Sequence, residues 1–194
     1  MILKIRAVGE PVLRNRARPL WPEEIMLPST RDLIAAMRET MQDAPGVGLA
    51  APQVGLPLQL AVIEDREEYM KDFSQEVLTE RERKPVPFHV IINPVLTLES
   101  AAEIEFFEGC LSLPGLVALV PRARKVKVEC LDEHGHPKVI RASGWHARIL
   151  QHEIDHLSGA LYVDRMRSVS LCSLDNFARH WKGKSMAEVK RLLS

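Results

Sequence analysis

Residues 151–159 read QHEIDHLSG and hold His152, Glu153 and His156 in the spacing H-E-x-x-H. On an α-helix, two histidines four residues apart leave the same face and can grip one metal ion. The glutamate between them is placed to move protons. The residues upstream extend the pattern. Ser143 is a cap residue, and GWHARILQHEIDHLSG, Gly144 to Gly159, repeats at the helical period. Trp145, Ile149, His152 and His156 share one face, with Glu153 at its edge. Ala147, Leu150, Ile154 and Leu157 form an apolar face, and Arg148, Gln151 and Asp155 lie together on a third. Such a helix is buried on most sides, and two imidazoles with a carboxylate in that setting demand a compensating partner.

Around this helix the chain reads mainly as strands. LPLQLAVIE (Leu56 to Glu64), HVIINPVLTLES, EIEFFEGCLSL, LVALVPR and KVKVECLD carry the apolar runs and alternations of β-structure. EHGHPK is a hairpin-like turn returning through KVIRAS. An earlier helix is expected over STRDLIAAMRETMQDAPG, opened by a capping box of Ser29 and Asp32 and stopped by Pro45-Gly46. KGKSMAEVKRLLS predicts a short amphipathic C-terminal helix from about Ser185. These elements give an α+β class, with β-strands packed around a central buried helix that carries the metal-binding motif, an N-terminal helix and a short C-terminal helix. The expected organisation is one catalytic domain over residues 1–194, with a charged, solvent-exposed excursion at 65–84 and a C-terminal extension at 167–194.

Bulk properties exclude several classes. The chain has 194 residues, 46% of them hydrophobic, and 26 basic residues balance 26 acidic ones. No global attraction to nucleic acid or anionic membranes follows from that balance, and no apolar run is long enough to span a bilayer. The N-terminus shows neither a secretory signal pattern nor a transit-peptide composition. The expectation is a bacterial cytoplasmic protein, with the mature form of an organellar protein as the alternative. Cys110, Cys130 and Cys172 are odd in number and widely spaced, which argues against a disulfide framework.

Two histidines leave a metal short of protein ligands. A zinc peptidase takes its third ligand downstream, but Asp164, Asp175, His180 and Glu188 sit in no matching local pattern. Upstream lies EGCLSLPG, where Cys110 follows Gly109 and Pro114-Gly115 turns the chain. A thiolate from Cys110 would complete a Cys/His/His site with one open position. Taken alone, Cys110 also reads as a buried strand residue. A third segment, PGVGLAAPQVG (Pro45 to Gly55), places Gly46, Gly48 and Gly55 around Ala50-Ala51, a backbone that runs close to another surface. Gln53 adds an amide able to donate and accept hydrogen bonds.

Taken together, GVGLAAPQVG, EGCLSLPG and QHEIDHLSG resemble, in order, the three signature motifs of the peptide deformylases. The likeness runs from about Ile5 to Met166. The charged excursion and the ASGW before the helix resemble the mitochondrial-type branch. This resemblance implies a hydrolase that removes the N-formyl group from N-formylmethionyl nascent polypeptides and releases formate. It also implies that Cys110, His152 and His156 bind the metal, natively Fe(2+), with Zn(2+), Ni(2+) or Co(2+) as substitutes. Glu153 would be the general acid/base, and Gln53 and the Leu111 N–H would hold the formyl oxygen. Val47 and Gly48 would pair with the substrate backbone, beside Gly109. Val47, Phe106, Glu108, Trp145, Ile149 and His152 would line or flank the methionine pocket.

The residues themselves add further expectations. Glu108 is expected to pair with Arg122, and Asp155 to form a structural salt bridge. Arg148 stands where much of that family carries an apolar residue, which puts the pocket's floor in question. The basic tail Lys182 to Arg191 makes a ribosome contact conceivable, while no membrane and no direct nucleic-acid partner is expected. The rival reading is an H-E-x-x-H metallopeptidase cleaving internal peptide bonds.

Overall fold

A computed structural model describes residues 1–101 and 103–193. In chain order the elements are α1 (Pro22–Ile25), α2 (Pro28–Asp43), β1 (Gly48–Ala50), β2 (Leu60–Asp65) and α3 (Gln75–Glu80). They continue with β3 (Val86–Leu98), β4 (Glu103–Cys110), β5 (Leu113–Ala123), β6 (Lys125–Leu131) and β7 (Pro137–Ser143). The chain closes with α4 (Gly144–Leu157), β8 (Cys172–Ser173), α5 (Leu174–His180) and α6 (Met186–Leu193). No helix among these residues is long and apolar enough to cross a membrane. The mixed helix and sheet class is the one read from the sequence.

Two antiparallel sheets organise the molecule. The first has the order β1-β2-β3-β6-β7, the second β4-β5-β8. Every residue of β2 is buried, because helices cover both faces of its sheet. The period-two alternation of a strand sorts its side chains. Ala61 and Ile63, with Ile91, Val126 and Val128, pack with Ala147, Leu150 and Leu157 of α4. Leu60 and Val62, with Val90 and Ile92, pack with Ile34, Met37 and Met41 of α2. The second sheet is also filled on two sides. Ala118 and Val120 meet Leu13, Leu161 and Tyr162. Val117 and Leu119 meet Val189 of α6, with Phe177 and Trp181 against them.

Several local expectations are revised. Leu27 is the cap of α2 and Pro28 its first residue, so the helix starts before the Ser29/Asp32 box and no side-chain cap forms. Proline serves at that position because its missing N–H would be unpaired there anyway. GLA of the glycine-rich segment, given no element in the sequence reading, forms strand β1, paired with β2 from Gly48↔Ile63 to Ala50↔Ala61. Much of 65–84 is exposed, but Asp65, Arg81 and Arg83 are buried. Arg83 donates twice to Asp65, both at 2.8 Å. Arg81 and Arg83 both stack on the Trp145 ring, at 5.0 and 5.1 Å. Burial and the neighbouring Arg83 lower the Arg81 pKa to about 10.

The turn into α4 depends on one glycine. Gly144 has φ +57, and a Cβ there would sit 2.4 Å from Glu82 Cβ and 2.7 Å from the Arg81 carbonyl oxygen. Gly144→Ala is expected to cost about 2–3 kcal/mol of stability, through left-handed strain and the clash with the 81–82 backbone. Urea unfolding of the two proteins measures it, and an unchanged midpoint would refute this role.

Candidate active site

The three signature segments converge. β1 brings Gly48, the turn after it brings Gln53, the end of β4 brings Cys110, and α4 brings His152, Glu153 and His156. The ligand atoms of Cys110, His152 and His156 all lie within 4.8 Å of one another. Cys110 Sγ is 3.3 Å from His156 Nε2. One thiolate and two imidazoles at these separations suit a metal whose ligand distances are about 2.0–2.3 Å. The downstream alternatives do not join them: Asp164, for instance, pairs with Arg14.

Beside this cluster sits Glu153, 3% exposed, with Oε2 buried and without a hydrogen-bond partner among the described residues. A Cβ on Gly48 would fall 2.2 Å from Glu153 Oε1. The glycine is therefore the space in which the carboxylate lies. Burial, reinforced by the charge of Glu108 and opposed by His152, raises the Glu153 pKa to about 7. A carboxylate poised there can accept and return a proton near neutrality.

Gln53 is held in one orientation. Its Oε1 accepts from the Ala50 N–H at 2.9 Å, while Nε2 donates to Ser112 Oγ at 3.2 Å and faces Cys110 Sγ at 3.5 Å. The amide thus turns its NH₂ toward the cluster. Leu111 follows Cys110 and lines the same cavity, and the Ser112 N–H donates to Cys110 Sγ at 3.4 Å.

Beneath the cluster lies a buried charge network. His152 Nδ1 is 3.0 Å from Glu108 Oε2, which leaves Nε2 for the cluster side. Arg122 donates to both oxygens of Glu108, at 3.0 and 2.9 Å, and its Nη1 also donates to Asp155. Arg165 clamps Asp155 from the other side with two bonds, at 2.7 and 2.8 Å. Arg148, 2% exposed, donates to Glu108 Oε1 at 2.6 Å and to the carbonyls of Val120 and Ile104. Burial works against the Glu108 carboxylate, but His152 and Arg122 overcome it and hold its pKa far below the usual range. Burial likewise opposes charge on His152, and the hydrogen bonds to Cys110 and Glu108 outweigh it, so its pKa is raised. His156 has no such carboxylate, and burial, with the charge of His152, lowers its pKa. Its Nδ1 is buried without a partner among the described residues.

A cavity of about 570 Å³ opens onto the cluster. Val47, Gly48, Gln53, Gly109, Cys110 and Leu111 line it, together with Trp145, Ile149, His152 and Glu153. Glu108 borders the cavity as expected, with both its oxygens engaged by His152 and the arginines, Arg122 among them. Phe106 is placed differently and does not line it: strand alternation turns its ring onto Trp145 at 6.3 Å, and the adjacent Phe107 reaches the cavity instead. His156 lies behind the lining, 1% exposed. The sequence did not single out Tyr162, whose ring stacks on His152 at 6.4 Å, nor Leu174, which borders the cavity from α5. Neither sits in a motif, and only the folded chain brings them near.

A cleft with a Cys/His/His cluster, a buried carboxylate and an amide donor has the parts of a metal-dependent amide hydrolase. The polypeptide deformylase family model matches residues 2–171, and the chain belongs to the peptide deformylase family. It is 45% identical over 173 residues to peptide deformylase 1A, chloroplastic/mitochondrial, of Arabidopsis thaliana. That match takes in 89% of this chain and 64% of the relative, a little under two-thirds of its length. It is 45% identical to peptide deformylase 3 of Streptomyces avermitilis, covering 92% of this chain and 78% of that one. The Met-Ala-Ser-bound crystal structure of the class I type b peptide deformylase from Acinetobacter baumannii superposes with a TM-score of 0.76. The two are 32% identical, over 86% of this chain and 99% of the other. Bacterial and organellar relatives thus match equally well at 45% identity, so likeness alone assigns no branch.

Removing one member of a buried ion network leaves uncompensated charge, which typically costs about 3–5 kcal/mol. Arg122→Met removes the side chain that bridges Glu108 and Asp155, leaving Glu108 to Arg148 and His152 and Asp155 to Arg165, and is expected to approach the lower end of that range by chemical denaturation. A loss below about 1 kcal/mol would show that the network does not brace the site.

Proposed function

We infer that this chain hydrolyses the N-formyl group from the initiating formyl-methionine of newly made proteins, releasing formate and a free α-amine. The observation that carries this reading is the convergence on one cluster of a fixed amide donor, Gln53, and a buried carboxylate, Glu153, across a backbone cleared by Gly48. A formyl group is small enough to stand between them.

Cys110, His152 and His156 would hold the metal. It supplies positive charge that polarises a carbonyl and acidifies water. We favour Fe(2+); the thiolate and imidazole donors suit Zn(2+), Ni(2+) or Co(2+) as well. Gln53 Nε2 and the Leu111 N–H donate to the formyl oxygen as it gains negative charge. Glu153 takes the proton from the attacking water, oxygen adds to the formyl carbon, and the C–N bond breaks as Glu153 passes that proton to the departing nitrogen. The methionine side chain enters between Val47, Ile149 and Trp145. Arg148 borders the cavity with them, its charge already engaged by Glu108. The substrate's backbone runs past Val47, Gly48 and Gly109.

The substrate partner is a nascent chain, and the compartment we favour is a bacterial cytoplasm, with an organelle as the alternative that the chloroplastic/mitochondrial relative supports. The Met-Ala-Ser ligand of the Acinetobacter baumannii relative supports a methionine-first peptide in this cavity. The basic tail is partly engaged within the chain, since Lys190 pairs with Glu105 and Val189 is buried. A ribosome contact would use the remaining charge of this tail.

Glu153→Gln should bind metal stoichiometrically while formate release from formyl-Met-Ala-Ser falls by roughly 10²–10⁴-fold. Gln53→Leu should lose about 10²–10³-fold in kcat. Formate is read by a coupled dehydrogenase and metal by elemental analysis. No formate from metal-replete wild-type protein, or cleavage of internal bonds in unformylated peptides, would overturn the assignment.

A further inference from the structure

The cavity has a wall from outside the part of the chain that matches the family model, which ends at residue 171. β8 pairs with β5 through Leu116↔Ser173 and Val117↔Cys172. That pairing carries the chain to Leu174, which borders the cavity together with Leu116. The position is firmly held. Ser173 Oγ accepts from the Asn176 N–H at 3.2 Å, turning the chain into α5. Phe177 of α5 packs on Phe107, ring centroids 4.9 Å apart.

Leu174 and Leu116 are 49% and 39% exposed, so both keep leucine surface open to solvent beside the cleft. The charged groups of the cavity, Glu108, Arg148, Glu153 and His152, are buried or nearly so and lie at its inner end. At the mouth the bordering side chains, among them Ile5, Pro114, Leu116 and Leu174, are apolar. A peptide whose first residue fills the inner end must leave past this rim. An apolar side chain there removes leucine surface from water, whereas a carboxylate loses hydration and gains no partner.

We propose that Leu174, with Leu116, is a specificity-determining rim that reads the residue following formyl-methionine and favours apolar over acidic side chains. This rests on the deformylase reading of the cavity. The C-terminal segment thereby contributes to substrate choice rather than only closing the second sheet.

The test compares kcat/KM of the metal-loaded enzyme for formyl-Met-Leu-Ser and formyl-Met-Asp-Ser, with formyl-Met amide as a substrate that lacks the second residue. Wild type should favour the leucine peptide by on the order of 10-fold. Leu174→Ala should cut that ratio roughly 3-fold or more, Leu174→Ile should keep it, and Leu174→Lys should move it toward the aspartate peptide. Ratios within 2-fold of wild type for both Ala and Lys would overturn the proposal. So would an equal loss on all three substrates, which would mean that α5 had merely been disturbed. Absence of formate from every substrate with the wild-type enzyme would instead sink the deformylase reading itself.

Discussion

The structure turns on one buried carboxylate. Glu108, at the end of β4, accepts from Arg122 and Arg148 and faces His152 Nδ1. A charge in the interior is tolerable only when its partners converge in good geometry. Satisfying this one ties four elements together: β4, β5 and α4 directly, and the loop after α4 through Asp155 and Arg165. The second sheet is thereby fixed to the helix that crosses the first. The imidazole that must present Nε2 to Cys110 has its ring set by the same bond that secures the sheets. Stability and site geometry therefore rest on the same atoms.

The two sheets have different duties. The five-stranded sheet, covered by α2 and α4, is a support, and its β2 is apolar on both faces because helices cover both. The three-stranded sheet carries Cys110 at one strand end, and through β8 it recruits the C-terminal helices. Tyr162 links them, its ring against His152 and its hydroxyl donating to the Leu116 carbonyl at 3.1 Å.

Much of this was legible in the chain because its signals are local. The helix from Gly144 follows from 3.6-residue periodicity, and the pairing of Glu108 with Arg122 and the structural salt bridge of Asp155 follow from position on strand and helix. What the sequence concealed depends on distant partners. Gly48-Leu49-Ala50 has no strand propensity and becomes β1 only by pairing with β2. Arg81 and Arg83 look solvated in a run of charges, but Asp65 and the Trp145 ring receive them. Phe106 and Phe107 are adjacent and alike, and only the register of β4 decides which reaches the cavity. Arg148, foreign to an apolar pocket, is accommodated because Glu108 and two carbonyl oxygens engage its terminal nitrogens.

The fixed amide of Gln53 has a consequence for what the cleft can recognise. With Oε1 committed to the Ala50 N–H, the side chain cannot flip without leaving a buried donor unpaired, at about 1–3 kcal/mol. The cleft therefore has a set polarity at that point: it offers hydrogen and seeks a lone pair. A ligand bringing an N–H to the same place would set donor against donor. Mimics of similar size, such as an amidine against a carbonyl or hydroxamate, are sorted by hydrogen-bond direction before shape or metal affinity is consulted.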